Sequence, residues 1–190
     1  MRRAKTIAVC SGSGGVGKTL VGTNLAASFV GQDLGTVLLV DASHPVPGDL
    51  LTWLGLDRAK SLGDMVPVLN RLTPEIFASY LVRTKDGLPV LPFVGDVLQS
   101  RHVGPDLVAK GLGLATSAFD IVILDVPPLS GAMGSAVFDR CDYACVVGQT
   151  TPPNLLVTNI VQTNLVQSRQ GNVKSSKAAD AFVSKIELPP

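Results

Sequence analysis

Lys5-Thr6-Ile7-Ala8-Val9-Cys10, followed by Ser11-Gly12-Ser13-Gly14-Gly15-Val16-Gly17-Lys18-Thr19, is the stretch whose reading decides the fold. The first six residues are apolar and partly β-branched, the mark of a strand. From Gly12 to Thr19 the spacing is G-x-x-x-x-G-K-[ST], and Leu20, Val21, Asn24, Leu25, Ala26, Ala27 and Phe29 then recur at helical spacing. Strand, glycine-rich turn, lysine, hydroxyl and helix in that order predict a phosphate-binding loop. Glycines let the backbone curl until successive N–H groups face phosphate oxygens, and the helix adds its positive end. Lys18 is expected on the β- and γ-phosphates and the Thr19 hydroxyl on Mg²⁺. Gly12, Ser13, Gly14, Gly15, Val16, Gly17 and Leu20 complete the expected nucleotide-binding stretch. The competing reading, a glycine-rich turn beside a chance lysine, needs five independent signals to coincide.

With 190 residues, the chain is long enough for one domain with a full core. Hydrophobic residues make up 46% and mean hydropathy is +0.35. Parallel strands covered on both faces produce such values, because they read as unbroken Val/Ile/Leu runs. The net charge of +1 gives no reason to expect a nucleic acid partner. Arg2, Arg3 and Lys5 form a small basic start that reads as solvated. Three cysteines (Cys10, Cys141, Cys145) with no C-x-x-C argue for reduced thiols and a cytoplasmic protein. No run reaches the roughly 18 apolar residues of a membrane span, and no secretory signal is evident.

Strands are predicted at 5–10, 36–41, 88–93, 121–125 and 143–147. Helices are predicted at 19–31, 61–70, 74–82, 104–117, 131–139 and 153–168. Thr73-Pro74-Glu75 carries the signature of a capped helix start. The alternation predicts a three-layer α/β/α, doubly wound domain with a mostly parallel sheet. Residues 1–168 are assigned to this nucleotide-binding domain. Residues 169–190 read as a polar linker and a terminal helix, or as the shortened end of the same domain. Ala178, Ala179, Phe182, Val183 and Ile186 share one face of that helix. Lys177 and Lys185 are balanced by Asp180 and Glu187, so a helix packed on the sheet is expected over one lying on a membrane.

In doubly wound folds, ligands sit at the carboxyl ends of the strands. Asp41 closes the run 36–41 and Asp125 closes 121–125. A carboxylate at either place can hold Mg²⁺ directly or through water, or can cap the following turn; the metal role is favoured at both. Lys18, Asp41 and Asp125 are therefore the candidate catalytic residues, and Thr19, Asp41 and Asp125 the candidate metal ligands. No N-K-x-D or T-K-x-D occurs, so ATP is expected over GTP. His44 and His102 stand isolated and are expected to be exposed.

The residues Ser13-Gly14-Gly15-Val16-Gly17-Lys18-Thr19, VLLVDAS at 37–43 and FDIVILDVPP at 119–128 resemble the MinD/ParA class of P-loop ATPases, the deviant Walker A group. CDYACVVGQTTPPNLLVTN at 141–159 looks like that class's next strand and loop, and the resemblance spans about residues 5–168. The stretches 47–66 and 72–92 look most like the CpaE/TadZ pilus-assembly localisation proteins. The class pattern is K-G-G-x-G-K-[ST], and this chain has Ser13 at its first lysine. That lysine reaches a dimer partner's phosphates, a role similar to an arginine finger, which is worth ~10³–10⁵ in rate. The class also carries D-x-D where this chain has Asp41-Ala42-Ser43. A serine cannot accept a proton comparably near neutral pH; Asp49 is a candidate substitute.

The resemblance implies an ATP–Mg²⁺-binding protein with slow or absent hydrolysis. It implies a nucleotide-dependent homodimer working as a localisation or assembly factor for a Flp-type pilus or secretion system. Its partners would be a secretion ATPase and a polar scaffold, and its place the cytoplasm, at a pole or peripheral to the inner membrane. The alternatives are an active MinD/ParA-type ATPase in cell-division or DNA positioning and a bacterial tyrosine-kinase-like domain. The kinase reading is disfavoured because Tyr80 and Tyr143 are the chain's only tyrosines.

Overall fold

A computed structural model describes residues 4–128, 131–149 and 151. Its sheet contains β1 (Lys5–Cys10), β2 (Val37–Asp41), β3 (Val82–Arg83), β4 (Pro89–Pro92), β5 (Ile121–Asp125) and β6 (Tyr143–Val146). Their order across the sheet is β3-β4-β2-β5-β1-β6. All neighbours run parallel except the short edge strand β3, which is antiparallel to β4. The five strands predicted from sequence coincide with β1, β2, β4, β5 and β6 to within a residue at each end. The fold class is as expected: a mostly parallel sheet with helices on both faces.

The alternation of side chains along the strands builds two cores. Ala8, Cys10, Leu38, Val40, Leu91, Val122 and Leu124 face one side. There they meet Phe77 of α3 (Pro74–Tyr80), Val108, Leu112 and Ala115 of α4 (Pro105–Ala118), and Ala136 and Val137 of α5 (Gly131–Phe138). Val9, Val37, Leu39, Val90 and Ile123 face the other side. They pack on Ala26 of α1 (Lys18–Gly31) and Leu50 of α2 (Leu50–Trp53). Each fully buried Leu, Ile or Phe contributes about 1.5–3 kcal/mol of burial free energy. Burial on both faces is what gives the strands their unbroken apolar composition.

The helices predicted at 19–31, 74–82, 104–117 and 131–139 correspond to α1, α3, α4 and α5. Thr73 caps α3 as expected, its hydroxyl accepting from the Ile76 N–H at 3.4 Å, with Pro74 in the first turn. The helix stops at Tyr80 because Leu81 turns extended and Val82 pairs with Val90 as β3. The helices predicted at 153–168 and 178–188 lie outside the described residues.

The expected helix at 61–70 does not form. Ser61 to Arg71 instead follows successive tight turns, ending in one 3₁₀ turn at Leu69–Arg71. Two long-range bonds tie the segment down: the Leu62 and Gly63 N–H groups donate to the Pro92 and Phe93 carbonyls at 2.8 and 3.0 Å, stitching it to the end of β4. Pro67 also lacks the N–H that a helix needs and disfavours a helical Val66. The apolar spacing that suggested a helix still has its use, since Leu62, Met65 and Leu69 are all buried.

Candidate functional site

Parallel strands send all their carboxyl ends to one edge of the sheet, and there the candidate residues meet. Asp125 ends β5 between its two neighbours, in register with Val9 of β1 and Asp41 of β2. The Val126 N–H donates to the Val9 carbonyl at 2.9 Å and the Ala42 N–H to the Asp125 carbonyl at 3.0 Å. These backbone bonds fix Asp41, Asp125 and the start of the glycine-rich loop relative to one another.

The loop itself is shaped by its glycines. Gly15 and Gly17 have φ of 72° and 95°, in the region where a side chain is strained. Gly17 is the residue from which α1 starts, and no side chain caps that helix or places an acid in its first turn. The exposed N–H groups and the helix dipole therefore favour an anion. A Cβ added at Gly14, Gly15 or Gly17 would meet nothing within 4 Å, so the loop borders open space.

Lys18 lies in the first turn of α1, and its ammonium donates to the Ser11 hydroxyl at 3.0 Å and to the Ser13 carbonyl at 3.3 Å. The Ser11 hydroxyl in turn donates to the Ser13 carbonyl. Thr19 points to the other side of the site, its hydroxyl donating to Asp125 Oδ2 at 2.5 Å. Leu20 is exposed on the same turn. The loop hydroxyl and the strand-end carboxylate thus stand side by side.

Asp41 and Asp125 are 3% and 7% exposed. Burial raises the pKa of both. For Asp125, the Thr19 hydroxyl and the Lys18 charge pull the other way, while the Asp41 charge adds to the rise. For Asp41, hydrogen bonds from Ser43 and from the Leu50 N–H oppose the rise and the charge of Asp49 adds to it. Two buried carboxylates in adjacent register, only Asp125 of them under the influence of the Lys18 charge, form an anionic pocket suited to a hard divalent cation. Thr19, Asp41 and Asp125 offer only oxygen donors, which matches Mg²⁺; Mg²⁺ commonly takes one or two carboxylates and keeps several waters. Among the described residues, no group of three or more His, Cys, Asp or Glu forms a metal cluster. The residues fit a cation shared with phosphate oxygens better than a cage built by protein alone.

Asp41 also has a second task. The Ser43 N–H donates to its Oδ1 at 3.0 Å, and the segment 43–50 wraps around its carboxylate. Gly48 sits so close that a Cβ there would lie 2.6 and 2.8 Å from the Asp41 oxygens and 2.4 Å from Ser43 Oγ. Sequence reasoning missed Gly48, since nothing in Val46-Pro47-Gly48-Asp49 distinguishes a packing glycine from a turn glycine. It also missed Ser11, which precedes the motif. Asp49 is exposed at the start of α2 and makes no side-chain cap bond.

His44 departs from expectation: it is half-buried, with Nε2 3.1 Å from the Ser100 carbonyl. His102 is exposed as expected. Cys10 is buried as expected, whereas Cys145 is only half-buried. Burial and the neighbouring Cys145 push the Cys10 thiol up to about 11 against the pull of Lys18, which keeps it protonated and unreactive.

Sheet order, strand-end carboxylates and glycine loop together define the P-loop α/β fold of the ParA and MinD ATPases. No protein-family profile matches the sequence. The chain is 29% identical over 160 residues to the virulence plasmid ParA family protein pGP5-D of Chlamydia psittaci, covering 80% of this chain and 60% of that protein. It therefore spans about three fifths of that relative's length. A ParA family ATPase from Chlorobium tepidum superposes with a TM-score of 0.77 at 22% identity, over 93% of this chain and 71% of the other. The septum site-determining protein MinD of Pyrococcus horikoshii, solved with Mg-ADP, gives 0.72 at 21% identity, over 97% and 79%. No helix among the described residues is long and apolar enough to cross a membrane.

Proposed function

We propose that this chain is a MinD/ParA-like ATP-binding protein in which the bound nucleotide sets the protein's state and is turned over slowly or not at all. The observation that carries the reading is the joining of Lys18 at the glycine loop with the Thr19–Asp125 pair, 2.5 Å apart, at the carboxyl edge of the sheet. The loop N–H groups and Lys18 would bind the phosphates. Thr19, Asp125 and Asp41 would hold Mg²⁺, which when bound neutralises phosphate charge. The Mg-ADP complex of the Pyrococcus horikoshii protein supports this assignment of ligand.

The slow turnover rests on two positions. Ser13 and Ser43 stand where the resembled class keeps a lysine and an aspartate. The Ser43 N–H donates to Asp41, so Ser43 helps to build the loop around that carboxylate. A serine hydroxyl is no general base near neutral pH. The finer role, a nucleotide-dependent dimer acting in localisation or assembly of a Flp-type pilus or secretion system beside a secretion ATPase and polar scaffold, rests on the stretches 47–66 and 72–92. A second reading, an active ParA-type ATPase, is favoured by the Chlamydia psittaci relative.

ATP binding and hydrolysis measured on one preparation separate the two. Tight Mg-ATP binding with negligible steady-state release of phosphate is the expected result. Robust hydrolysis abolished by Lys18→Ala would establish the second reading instead. Light scattering with and without ATP tests the nucleotide-driven dimer.

A further inference from the structure

Ser11 lies just beyond the last residue of β1, outside the glycine-rich motif. It is 4% exposed, and its hydroxyl has two partners. It accepts from Lys18 Nζ at 3.0 Å and donates to the Ser13 carbonyl. Lys18 Nζ also reaches that carbonyl, at 3.3 Å. Three groups thus close a triangle across the base of the loop: a buried hydroxyl, a backbone carbonyl and an ammonium.

The triangle answers a physical problem. A lysine has a long, flexible stem, and holding its ammonium in one place costs side-chain entropy. A hydrogen bond between a neutral group and a charged one is stronger than a neutral pair, and stronger again where solvent is excluded. Ser11 is held by its position at the end of β1, which lies between β5 and β6. The next strand reaches it closely, the Val147 N–H donating to the Cys10 carbonyl at 2.8 Å. Its hydroxyl is therefore a fixed point for a mobile cation. The same hydroxyl orients the Ser13 peptide, so one side chain ties the lysine and the loop backbone together. The side chain of Ser13 takes no part, because only its carbonyl is used.

We propose that Ser11 is a positioning residue for Lys18: its hydroxyl anchors the Lys18 ammonium and the Ser13 carbonyl, so that the loop is preorganised for a phosphate chain. The proposal deepens the nucleotide-binding reading and rests on it for the identity of the ligand. The anchoring itself does not depend on that reading.

Two readouts test it. The first is a double-mutant cycle on Mg-ATP affinity, with the parent chain, Ser11→Ala, Lys18→Ala and the double variant. Ser11→Ala is expected to weaken binding about tenfold in the parent, the worth of one hydrogen bond to a charged group, and to add nothing once Lys18 is gone. The second is the rate of reductive methylation of Lys18, followed by mass spectrometry without nucleotide. Ser11→Ala is expected to raise it severalfold, because the ammonium is released from its anchor. Equal losses of affinity in both backgrounds would show Ser11 to be merely structural and overturn the proposal, as would an unchanged methylation rate. If the parent chain fails to bind ATP while Ser11→Ala still speeds methylation, the nucleotide reading falls and the anchoring of Lys18 by Ser11 stands.

Discussion

The ends of β1 and β2 both turn on glycine, for opposite reasons. After β1, Gly17 has φ 95° and nothing within 4 Å of where a Cβ would stand. Its constraint is conformational and local. After β2, Gly48 has no left-handed backbone, but a Cβ there would run into the Asp41 carboxylate and Ser43. Its constraint is spatial and belongs to the tertiary structure. The first loop borders open space. The second is a segment folded down on its own carboxylate. A binding site assembled from both needs one preformed half and one half whose key acid already serves the protein.

Five variants would break or sharpen this contrast. Lys18→Ala removes the cation bonded to the loop among the described residues and should weaken Mg-ATP binding about a hundredfold, the upper worth of contacts to a charged group; calorimetric titration measures it. The fold should be unaffected, because Lys18 bonds only within the loop.

Gly48→Ala should come next. Crowding a packed site costs about 1–3 kcal/mol, seen as a lower unfolding midpoint without nucleotide. Gly17→Ala should cost about 1–2 kcal/mol from the left-handed backbone, and should also disturb the N–H groups that face the ligand. If both sites were alike, each variant would lower stability and affinity together. The contrast holds if Gly48→Ala acts mainly on stability and Gly17→Ala also on nucleotide affinity.

Asp41→Asn gives a smaller effect of opposite sign. Burial raises the Asp41 pKa, so the ionised form costs stability in the folded state once pH exceeds the folded-state pKa. That penalty disappears below the unfolded-state pKa, where both states are protonated. Asparagine keeps an acceptor for the Ser43 N–H. Asp41→Asn should therefore raise the unfolding midpoint at pH 7 without Mg²⁺, and the gain should shrink as pH falls through the folded-state pKa. A thermal-melt series in pH measures it. The smallest effect belongs to Trp53→Ala, since Trp53 is 62% exposed; surface changes of this kind stay within about 0.5 kcal/mol.

The two regions also differ in how far the sequence could be read. Lys5 to Thr19 is contiguous, and every feature of its conformation follows from short-range chemistry: β-branched strand, positive-φ glycines, helix after the turn. The segment 61–70 has apolar spacing that matches a helix, yet Pro67 interrupts the ladder and the segment is stitched to the Pro92 and Phe93 carbonyls about thirty residues away in sequence. The half-burial of His44 was hidden for the same reason, its partner being the Ser100 carbonyl.

By itself the sequence determined the parallel α/β architecture, the glycine-rich turn between β1 and α1 and the two acids that end their strands, because each is written in local periodicity and turn chemistry. Only the tertiary structure decided that Asp41 and Asp125 stand in register and that Thr19 reaches Asp125. Those contacts join segments brought together by sheet order and packing, and no local pattern encodes which distant backbone will lie within hydrogen-bonding reach.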